Sequence, residues 1–354
     1  MRITVRAPGA GFIAFRMLLL LASIPLSGAE PGKSFDLALP TANTALLEGK
    51  PEDFYQFVDR DFNGVKTTPW EGGRYGFVRN PVMTSEGLVY GHFHEGIDIK
   101  PVSRNASGLP LDEVHAIADG RIAYANPNPH WSNYGNYVVI EHLFGGCRYY
   151  SLYAHLNQIT ATVGTPVRKG EKIGVLGFTG EGIDQRRAHL HLELNLMLSP
   201  DFEAWHQTYF STEINRHGLY NGLNLAGINI ADFYLALQKN PALTLPEFLS
   251  RSEPMFKVAV PANWKIHIAR FYPWLVAPSK IPGAPSVEIS FDPSGLPLKI
   301  TPCNKQVTEP ELTFIKPSSL SYSLLTRNLV TGNGNRHQLS DNGKRYIRLL
   351  AGPQ

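Results

Sequence analysis

The stretch GHFHEGIDIKP (residues 91–101) concentrates side chains that bind metals or move protons. His94 and Asp98 are four positions apart, a spacing that places both side chains on one face of a helix or of a strand. Gly96 and the β-branched residues after it favour a loop that runs into a strand, which argues against the helical HExxH motif of zinc proteases. Taken alone, the stretch fits a metal site, a catalytic set or an ordinary polar loop.

A second stretch, HLHLEL (residues 189–194), alternates polar residues with leucines. This period of two predicts a strand with His189, His191 and Glu193 on one face and the leucines on the other. Two imidazoles at adjacent positions of one face can bind the same metal, or one can bind while the other faces a substrate. A solvated polar strand face is the alternative interpretation.

Two histidines and one aspartate have a definite chemistry when they meet. Three such ligands leave a fourth coordination position of zinc open, which a hydrolytic site needs and a structural zinc site avoids. A water molecule at that position ionises near neutral pH, and the metal polarises a carbonyl group. Because no cysteine lies near either stretch, the nitrogen and oxygen donors favour zinc.

The elements that must position these residues are short strands. Residues 80–200 contain apolar runs separated by glycines, with clear alternation in GNYVVIEH and HLHLELN. The sequence predicts a mainly β protein whose central part is an antiparallel sheet or sandwich, with a few helices and a smaller β-rich C-terminal domain. Short helices are expected in residues 51–62, 229–240 and 243–252, strands over 264–272, and further hairpins over 330–350.

Several segments, taken in chain order, resemble the lysostaphin-type (LytM-type) zinc metalloendopeptidases. The resemblance covers roughly residues 85–197, and each segment alone is weakly specific. Those segments are FHEGIDI, VHAIADGRI, YGNYVVIEH, YAHL, VGTPVRKGEKIGVLGFTG and AHLHLEL.

The resemblance implies a role for five residues. By position in the family's motifs, His94, Asp98 and His191 are the zinc ligands. His155 of YAHL and His189 face the substrate and the metal-bound water, where they serve as general base and as stabiliser of the developing oxyanion.

Three more polar residues of these stretches receive no ligand role. Glu193 is a candidate for orienting an imidazole, with a solvated carboxylate as the alternative. His92 flanks the site and Glu95 is not a ligand.

The sequence departs from the family's pattern in two places. The connection IKPVSRNASGLPLDE (residues 99–113) is longer than usual, and EGIDQRRA (residues 181–188) replaces a turn rich in small residues. Arg186 and Arg187 are therefore candidate substrate-binding residues that could attract a carboxylate of a peptidoglycan stem peptide, with solvated surface arginines as the alternative.

The family resemblance, together with the changes in composition and hydrophobic pattern along the chain, predicts five segments. They are a signal peptide (1–29), an N-terminal extension packing on the catalytic domain (30–84), the zinc metallopeptidase domain (85–200), a helical connection (201–255) and a β-rich C-terminal domain (256–354). The signal peptide rests on three arginines before a short apolar run and on small residues at 27–29. That run is too short to span a membrane, so we expect export to the periplasm or cell envelope and no stable membrane span afterwards.

Charge and cysteine content exclude other classes of function. The chain has 33 basic and 30 acidic residues. Loss of the leader, which carries three arginines, makes these numbers equal, so nucleic acid is not an expected partner. Cys147 and Cys303 show no pairing pattern and no redox motif.

Two functions remain in competition at this level. The first is an exported zinc metalloendopeptidase that cuts peptide cross-links of peptidoglycan. The second is a catalytically silent relative that binds the cell wall and activates an amidase. The discriminating feature is the ligand set, and all three ligand positions and both accessory histidines are present, which favours the enzyme.

Overall fold

The structure, a computed structural model, describes residues 35–279 and 281–352. The predicted signal peptide (1–29) lies outside the described residues. The described chain consists mainly of antiparallel strands with short helices, which confirms the predicted fold class.

The N-terminal part that the structure describes (residues 35–94) contains a short α-helix, a 3₁₀ helix (Pro69–Gly73) and a hairpin. Helix α1 (Pro51–Phe54) is shorter than the helix expected over 51–62, and strands β1 (Gly76–Thr84) and β2 (Gly87–His94) pair only with each other. Buried aromatic side chains join this part to the main core, among them Phe35 and Phe54.

The strands of the central part form two sheets. In chain order they are β3 (Ile97–Ile99), β4 (Glu113–His115), β5 (Gly120–Asn126), β6 (Tyr137–Phe144), β7 (Cys147–Ala154), β8 (Leu156–Ile159), β9 (Pro166–Val167), β10 (Lys172–Leu176), β11 (Leu190–Met197) and β12 (Leu225–Gly227). The main sheet has the order β12-β11-β7-β6-β5-β9, with β3 also paired to β11. A smaller sheet has the order β4-β10-β8.

Strand β11 is buried on both of its faces. Its leucines, at positions 190, 192, 194 and 196, are fully buried in the main apolar cluster, as the alternation in the sequence predicts. The opposite face carries His191 and Glu193, which are also buried. The alternative of a solvated polar face is therefore wrong.

The part after β11 contains the longer helices and the last strands. In chain order the elements are α2 (Phe202–Tyr209), α3 (Ile230–Lys239), α4 (Leu245–Leu249), β13 (Phe256–Pro261), β14 (Lys265–Ile266), α5 (His267–Phe271), β15 (Ser286–Phe291), β16 (Pro297–Cys303), β17 (Glu311–Ile315), α6 (Tyr322–Leu325), β18 (Val330–Asn333), β19 (Arg336–Leu339), α7 (Asp341–Leu350) and β20 (Ala351–Gly352). Four of the strands form a sheet in the order β16-β15-β13-β17.

Two predictions in this last part are wrong. The strand expected over 264–272 is limited to β14 (Lys265–Ile266), and the next five residues form helix α5, in which His267 and Ile268 are buried. The hairpins expected over 330–350 end at β19, and helix α7 follows. The Ser340 side chain accepts a hydrogen bond from the Gly343 N–H and starts that helix.

No helix in residues 35–279 and 281–352 combines the length and the apolar character that a membrane-spanning helix requires.

One buried histidine of the main sheet predicts acid sensitivity of the fold. His142 donates its Nδ1 proton to the Asp119 carbonyl (2.8 Å) and accepts a hydrogen bond from Ser151 at Nε2 (2.7 Å). Burial lowers the pKa of His142 from 6.5 to about 4. Between these two pH values the unfolded chain binds a proton that the native chain does not, so stability falls as the pH falls through this window.

We expect the wild type to lose up to about 3 kcal/mol more unfolding free energy between pH 7 and pH 4 than the variant His142→Gln. Urea unfolding at both pH values measures this difference. Equal losses in the two proteins would show that another group carries the acid sensitivity.

Candidate metal centre and its groove

Three side chains far apart in the sequence converge on one point. His94 Nε2 lies 3.1 Å from Asp98 Oδ1 and 3.1 Å from His191 Nδ1, and the last two atoms are 3.0 Å apart. All three side chains are buried. They are the residues that the family resemblance assigns as ligands, and one donor atom from each faces the same point.

The strand pairing brings these residues together. In the antiparallel pair of β3 and β11, Asp98 is directly opposite His191, so the two side chains lie on one face of the main sheet. His94 is the last residue of β2, in the two-stranded sheet of the N-terminal hairpin. The cluster thus combines two residues of the main sheet with one from the hairpin.

Gly96 is required by close packing under this cluster. A Cβ atom at this position would lie 2.4 Å from the Leu192 carbonyl oxygen and 2.8 Å from Glu193 Cγ. The expectation that Gly96 serves the turn between two ligands is therefore refined: the absence of a side chain lets the turn rest on β11.

The second ring nitrogen of His191 is held by a buried carboxylate. Glu193 Oε1 accepts from His191 Nε2 at 2.8 Å and from the Tyr134 hydroxyl at 2.7 Å, and Asn195 donates to Glu193 Oε2 at 2.9 Å. Such a carboxylate fixes the ring and its tautomer, leaving Nδ1 free to bind a metal.

Burial and charge act in opposite directions on the pKa values of the cluster. Burial alone raises the pKa of Asp98, but the imidazoles of His189 and His94 and the Arg79 guanidinium hold it well below its usual range. Burial lowers the pKa of His94. Burial alone would also lower the pKa of His191, yet its hydrogen bonds to two carboxylates raise it to about 9. Asp98 is therefore ready as an anionic ligand.

The two accessory histidines stand beside the cluster with one ring nitrogen fixed. His155 Nδ1 donates to the Thr179 carbonyl (2.9 Å), and His189 Nδ1 donates to the Arg187 carbonyl (2.6 Å). His189 Nε2 lies 3.4 Å from Asp98 Oδ1. Both rings therefore keep Nε2 available for chemistry next to the cluster.

His155 reaches this position through an uncommon backbone conformation. It lies between β7 and β8 with φ of +62°, in the left-handed region that histidine tolerates better than most residues. Burial lowers the pKa of His155 well below its usual value, and the neighbouring imidazoles of His189 and His191 lower it further. The ring is therefore a neutral imidazole.

The cluster lies in an open groove of about 790 Å³. Arg187 lines this groove, whereas Arg186 pairs with Asp59 at 3.1 Å and stacks over the Phe57 ring. Of the two arginines that the sequence offers as substrate-binding candidates, only Arg187 thus lines the groove. His92 is exposed at the edge of the groove and is not part of the cluster of His94, Asp98 and His191.

The two departures from the family's pattern contact each other. Arg104 of the long connection donates to the Gln185 carbonyl at 2.9 Å, and Gln185 Nε2 donates to the Ser107 carbonyl at 2.6 Å. The Asp112 carboxylate accepts from two backbone N–H groups of the same connection and closes it into a compact loop. The two segments thus support each other beside Arg187.

Several groove residues were missed at the level of sequence. Tyr134 lies in a segment singled out only for its strand pattern and for its place in the family's order of motifs, and no motif singles out His217, which is buried at the groove wall. Arg327 comes from the part after α6, where it pairs with Glu95 at 2.5 Å and covers the Phe93 ring. A positive φ of 51° at Arg327 is the kind of backbone strain that accompanies functional sites, but the sequence carries no signal for it.

Comparison with known proteins identifies the central part of the chain. Residues 92–200 match the sequence profile described as Peptidase family M23. This chain contains a peptidase family M23 domain. The M23 domain includes all five residues that the motifs single out, whereas Arg79 and Arg327 lie outside it.

The chain is similar to parts of larger proteins. Peptidoglycan DD-endopeptidase ShyB of Vibrio cholerae is 35% identical over 167 residues, which are 47% of this chain and 31% of that protein. Cell division protein DipM of Caulobacter vibrioides is 32% identical over 117 residues, which are 32% of this chain and 17% of that protein. The chain thus matches less than a third of the length of these curated relatives.

A solved structure is also similar over part of the chain. The catalytic domain of lysostaphin, an antimicrobial peptidase from Staphylococcus simulans, is 27% identical and has a TM-score of 0.23. The match covers 34% of this chain and 76% of that one.

The geometry of the cluster fits a tetrahedral metal ion. Bonds of about 2.0–2.1 Å in a tetrahedron place ligand atoms about 3.3 Å apart. The separations here are 3.0–3.1 Å. Two imidazole nitrogens and one carboxylate oxygen are a donor set that zinc accepts, and His191 has the outer carboxylate partner typical of a metal ligand.

Proposed function

We propose that this chain is a zinc-dependent metalloendopeptidase that hydrolyses peptide cross-links of peptidoglycan. The observation that carries the proposal is the convergence of three ligand atoms, all within 4.8 Å of one another, beside two further imidazoles in one groove. A site that served structure alone would close the fourth metal position with a protein ligand.

The proposed ligands are His94 through Nε2, Asp98 through Oδ1 and His191 through Nδ1. A bound zinc ion supplies a Lewis acid that polarises the scissile carbonyl group and lowers the pKa of a water molecule. His155 and His189 share two tasks at Nε2. The bare Nε2 of one ring accepts a proton from the attacking water, and the other ring, with both of its nitrogens protonated, donates a hydrogen bond to the carbonyl oxygen as charge develops on it.

The substrate class is supported by the relatives and by the charges of the groove. Two relatives carry the name peptidoglycan DD-endopeptidase. The groove wall contains Arg187 and Arg216, and a guanidinium group pairs well with a carboxylate such as those of peptidoglycan stem peptides. We assign substrate binding to Arg187, because Arg186 is directed to Asp59.

The proposed location of this activity is the periplasm or cell envelope. The support is the arginine-rich apolar leader in the sequence together with a substrate that exists only outside the cytoplasmic membrane.

Digestion of purified cross-linked muropeptides tests the proposal. We expect the chain without its leader to carry about one zinc per molecule and to convert dimers to monomers, with loss of activity in a chelator and recovery on addition of zinc. Mass analysis of the products identifies the bond that is cut. A chain that binds zinc yet cleaves neither muropeptides nor glycine-rich peptides contradicts the proposal, and stimulation of a cell-wall amidase then tests the silent-relative hypothesis.

A further inference from the structure

A segment outside the M23 domain reaches two of the three proposed ligands. The backbone carbonyl of Arg74 accepts a hydrogen bond from His94 Nδ1 at 2.7 Å, and Arg79 Nη2 lies 2.5 Å from Asp98 Oδ2. Both residues precede the matched region, which begins at residue 92. The first contact leaves Nε2 of His94 as its free ring nitrogen, and the second takes one of the two carboxylate oxygens of Asp98.

A β-bulge in the hairpin directs Arg79 into the groove. The pairing of β1 with β2 shifts between Phe77 and Arg79, and Arg79 then lies opposite His92. A bulge of this kind turns a side chain away from the direction that regular alternation would give. The N-terminal extension (30–84), which the sequence predicts to pack on the catalytic domain, therefore also contacts the site through Arg79.

The guanidinium group of Arg79 is fixed at a second point. Its Nε donates to the Gly72 carbonyl at 3.1 Å. That carbonyl belongs to a tight turn that rests on the neighbouring chain, since a Cβ atom at Gly72 would lie 2.6 Å from Val58 Cβ. Arg79 therefore has a defined orientation, although 24% of its side chain is exposed.

The contact between Arg79 and Asp98 gives the two carboxylate oxygens of Asp98 different partners. Oδ1 faces the donor atoms of both histidine ligands, whereas Oδ2 faces the guanidinium group. A carboxylate that is free to rotate can bind a metal through both oxygens and thereby occupy an additional coordination position. A charge-assisted hydrogen bond to a carboxylate that is only 1% exposed opposes that rotation.

We propose that Arg79 is a positioning residue that holds Asp98 as a ligand through one oxygen and so keeps a coordination position open for water and substrate. This inference rests on the proposed function, because it concerns the same metal centre. It assigns the N-terminal hairpin a direct part in the site, outside the segment that the family profile covers.

The test uses metal alone, so it does not depend on cleavage of any substrate. Cobalt(II) replaces zinc in Arg79→Ala, in Arg79→Lys and in the wild type, and the visible absorption of the bound cobalt reports its coordination number. We expect Arg79→Ala to show the weaker absorption of a higher coordination number and to bind zinc about 10–100-fold less tightly in competition with a chelating dye. Arg79→Lys, which keeps the charge and one donor, is expected to recover part of both properties.

Arg148→Ala is the matched control, because it removes an arginine that pairs with a carboxylate (Glu141, 2.8 Å) on the exposed side of the main sheet. A wild-type cobalt spectrum and zinc affinity in folded Arg79→Ala would overturn the inference. If Arg79→Ala does not fold, the Arg79→Lys variant decides. A wild-type cobalt spectrum and zinc affinity in Arg79→Lys would show that the two hydrogen bonds of the guanidinium group, to Asp98 and to the Gly72 carbonyl, are not needed. Failure of the wild type to cleave muropeptides would contradict the proposed function. The cobalt spectrum and the zinc affinity would still test the role of Arg79, because neither measurement depends on cleavage.

Discussion

Replacement of Asp98 or His191 by alanine is expected to remove the metal and the peptidase activity together. Each supplies one of three donor atoms at 3.0–3.1 Å from the others, so either variant leaves two protein ligands. Loss of Asp98 also removes the negative charge that offsets the metal and leaves the Arg79 guanidinium beside it. We expect kcat/KM to fall on the order of 10⁴-fold or more.

Metal content by elemental mass spectrometry and muropeptide digestion measure the two losses in parallel. His337→Ala is the matched control, because it removes an exposed imidazole on the β19 hairpin. A variant of His191 that keeps a full equivalent of zinc and wild-type turnover would show that His191 is not a ligand.

Replacement of His155 or His189 by alanine is expected to separate metal binding from catalysis. Each ring donates its Nδ1 proton to a backbone carbonyl and keeps Nε2 for the reaction, so neither is needed to hold the metal. We expect zinc content to stay near one per chain while kcat falls on the order of 10²–10⁴-fold, the usual contribution of a positioned acid or base.

The control for this second experiment is the metal content of the same samples. Loss of zinc in His189→Ala would make His189 a ligand and contradict its proposed role. An unchanged kcat in both variants would instead show that neither His155 nor His189 takes part in catalysis.

The sequence predicts those parts of the site that depend on local pattern. Alternation in HLHLEL indicates a strand that separates leucines from imidazoles, and this holds because a β-strand repeats every two residues whatever it packs against. The fold class follows from the same signal repeated along the central part. The assignments of His94 and Asp98, by contrast, needed the family resemblance, because the short turn at residues 95–96 that brings β2 and β3 together has no periodic pattern.

Other parts of the site depend on contacts that no local pattern records. Arg79 reaches Asp98 only because a bulge turns it, and Arg327 meets Glu95 across 232 positions of chain. Arg186 and Arg187 are adjacent and equally basic, yet a short 3₁₀ turn directs one toward Asp59 and leaves the other in the groove. The missed helix α5 shows the same limit, since its apolar residues satisfy both an alternating and a helical pattern over a short run.

The division of the ligands between two sheets gives a bound metal a second consequence. His94 belongs to the hairpin, whereas Asp98 and His191 belong to the main sheet, and His94 and His191 are 97 positions apart. An ion shared by these residues closes a long loop of the unfolded chain, as a disulfide does, and a loop of that size corresponds to roughly 4–5 kcal/mol of lost chain entropy. Cys147 and Cys303 are not joined to each other. An ion bound there would therefore be a cross-link that reducing agents leave intact and chelators open, and we expect its removal to loosen the packing of the hairpin on the main sheet.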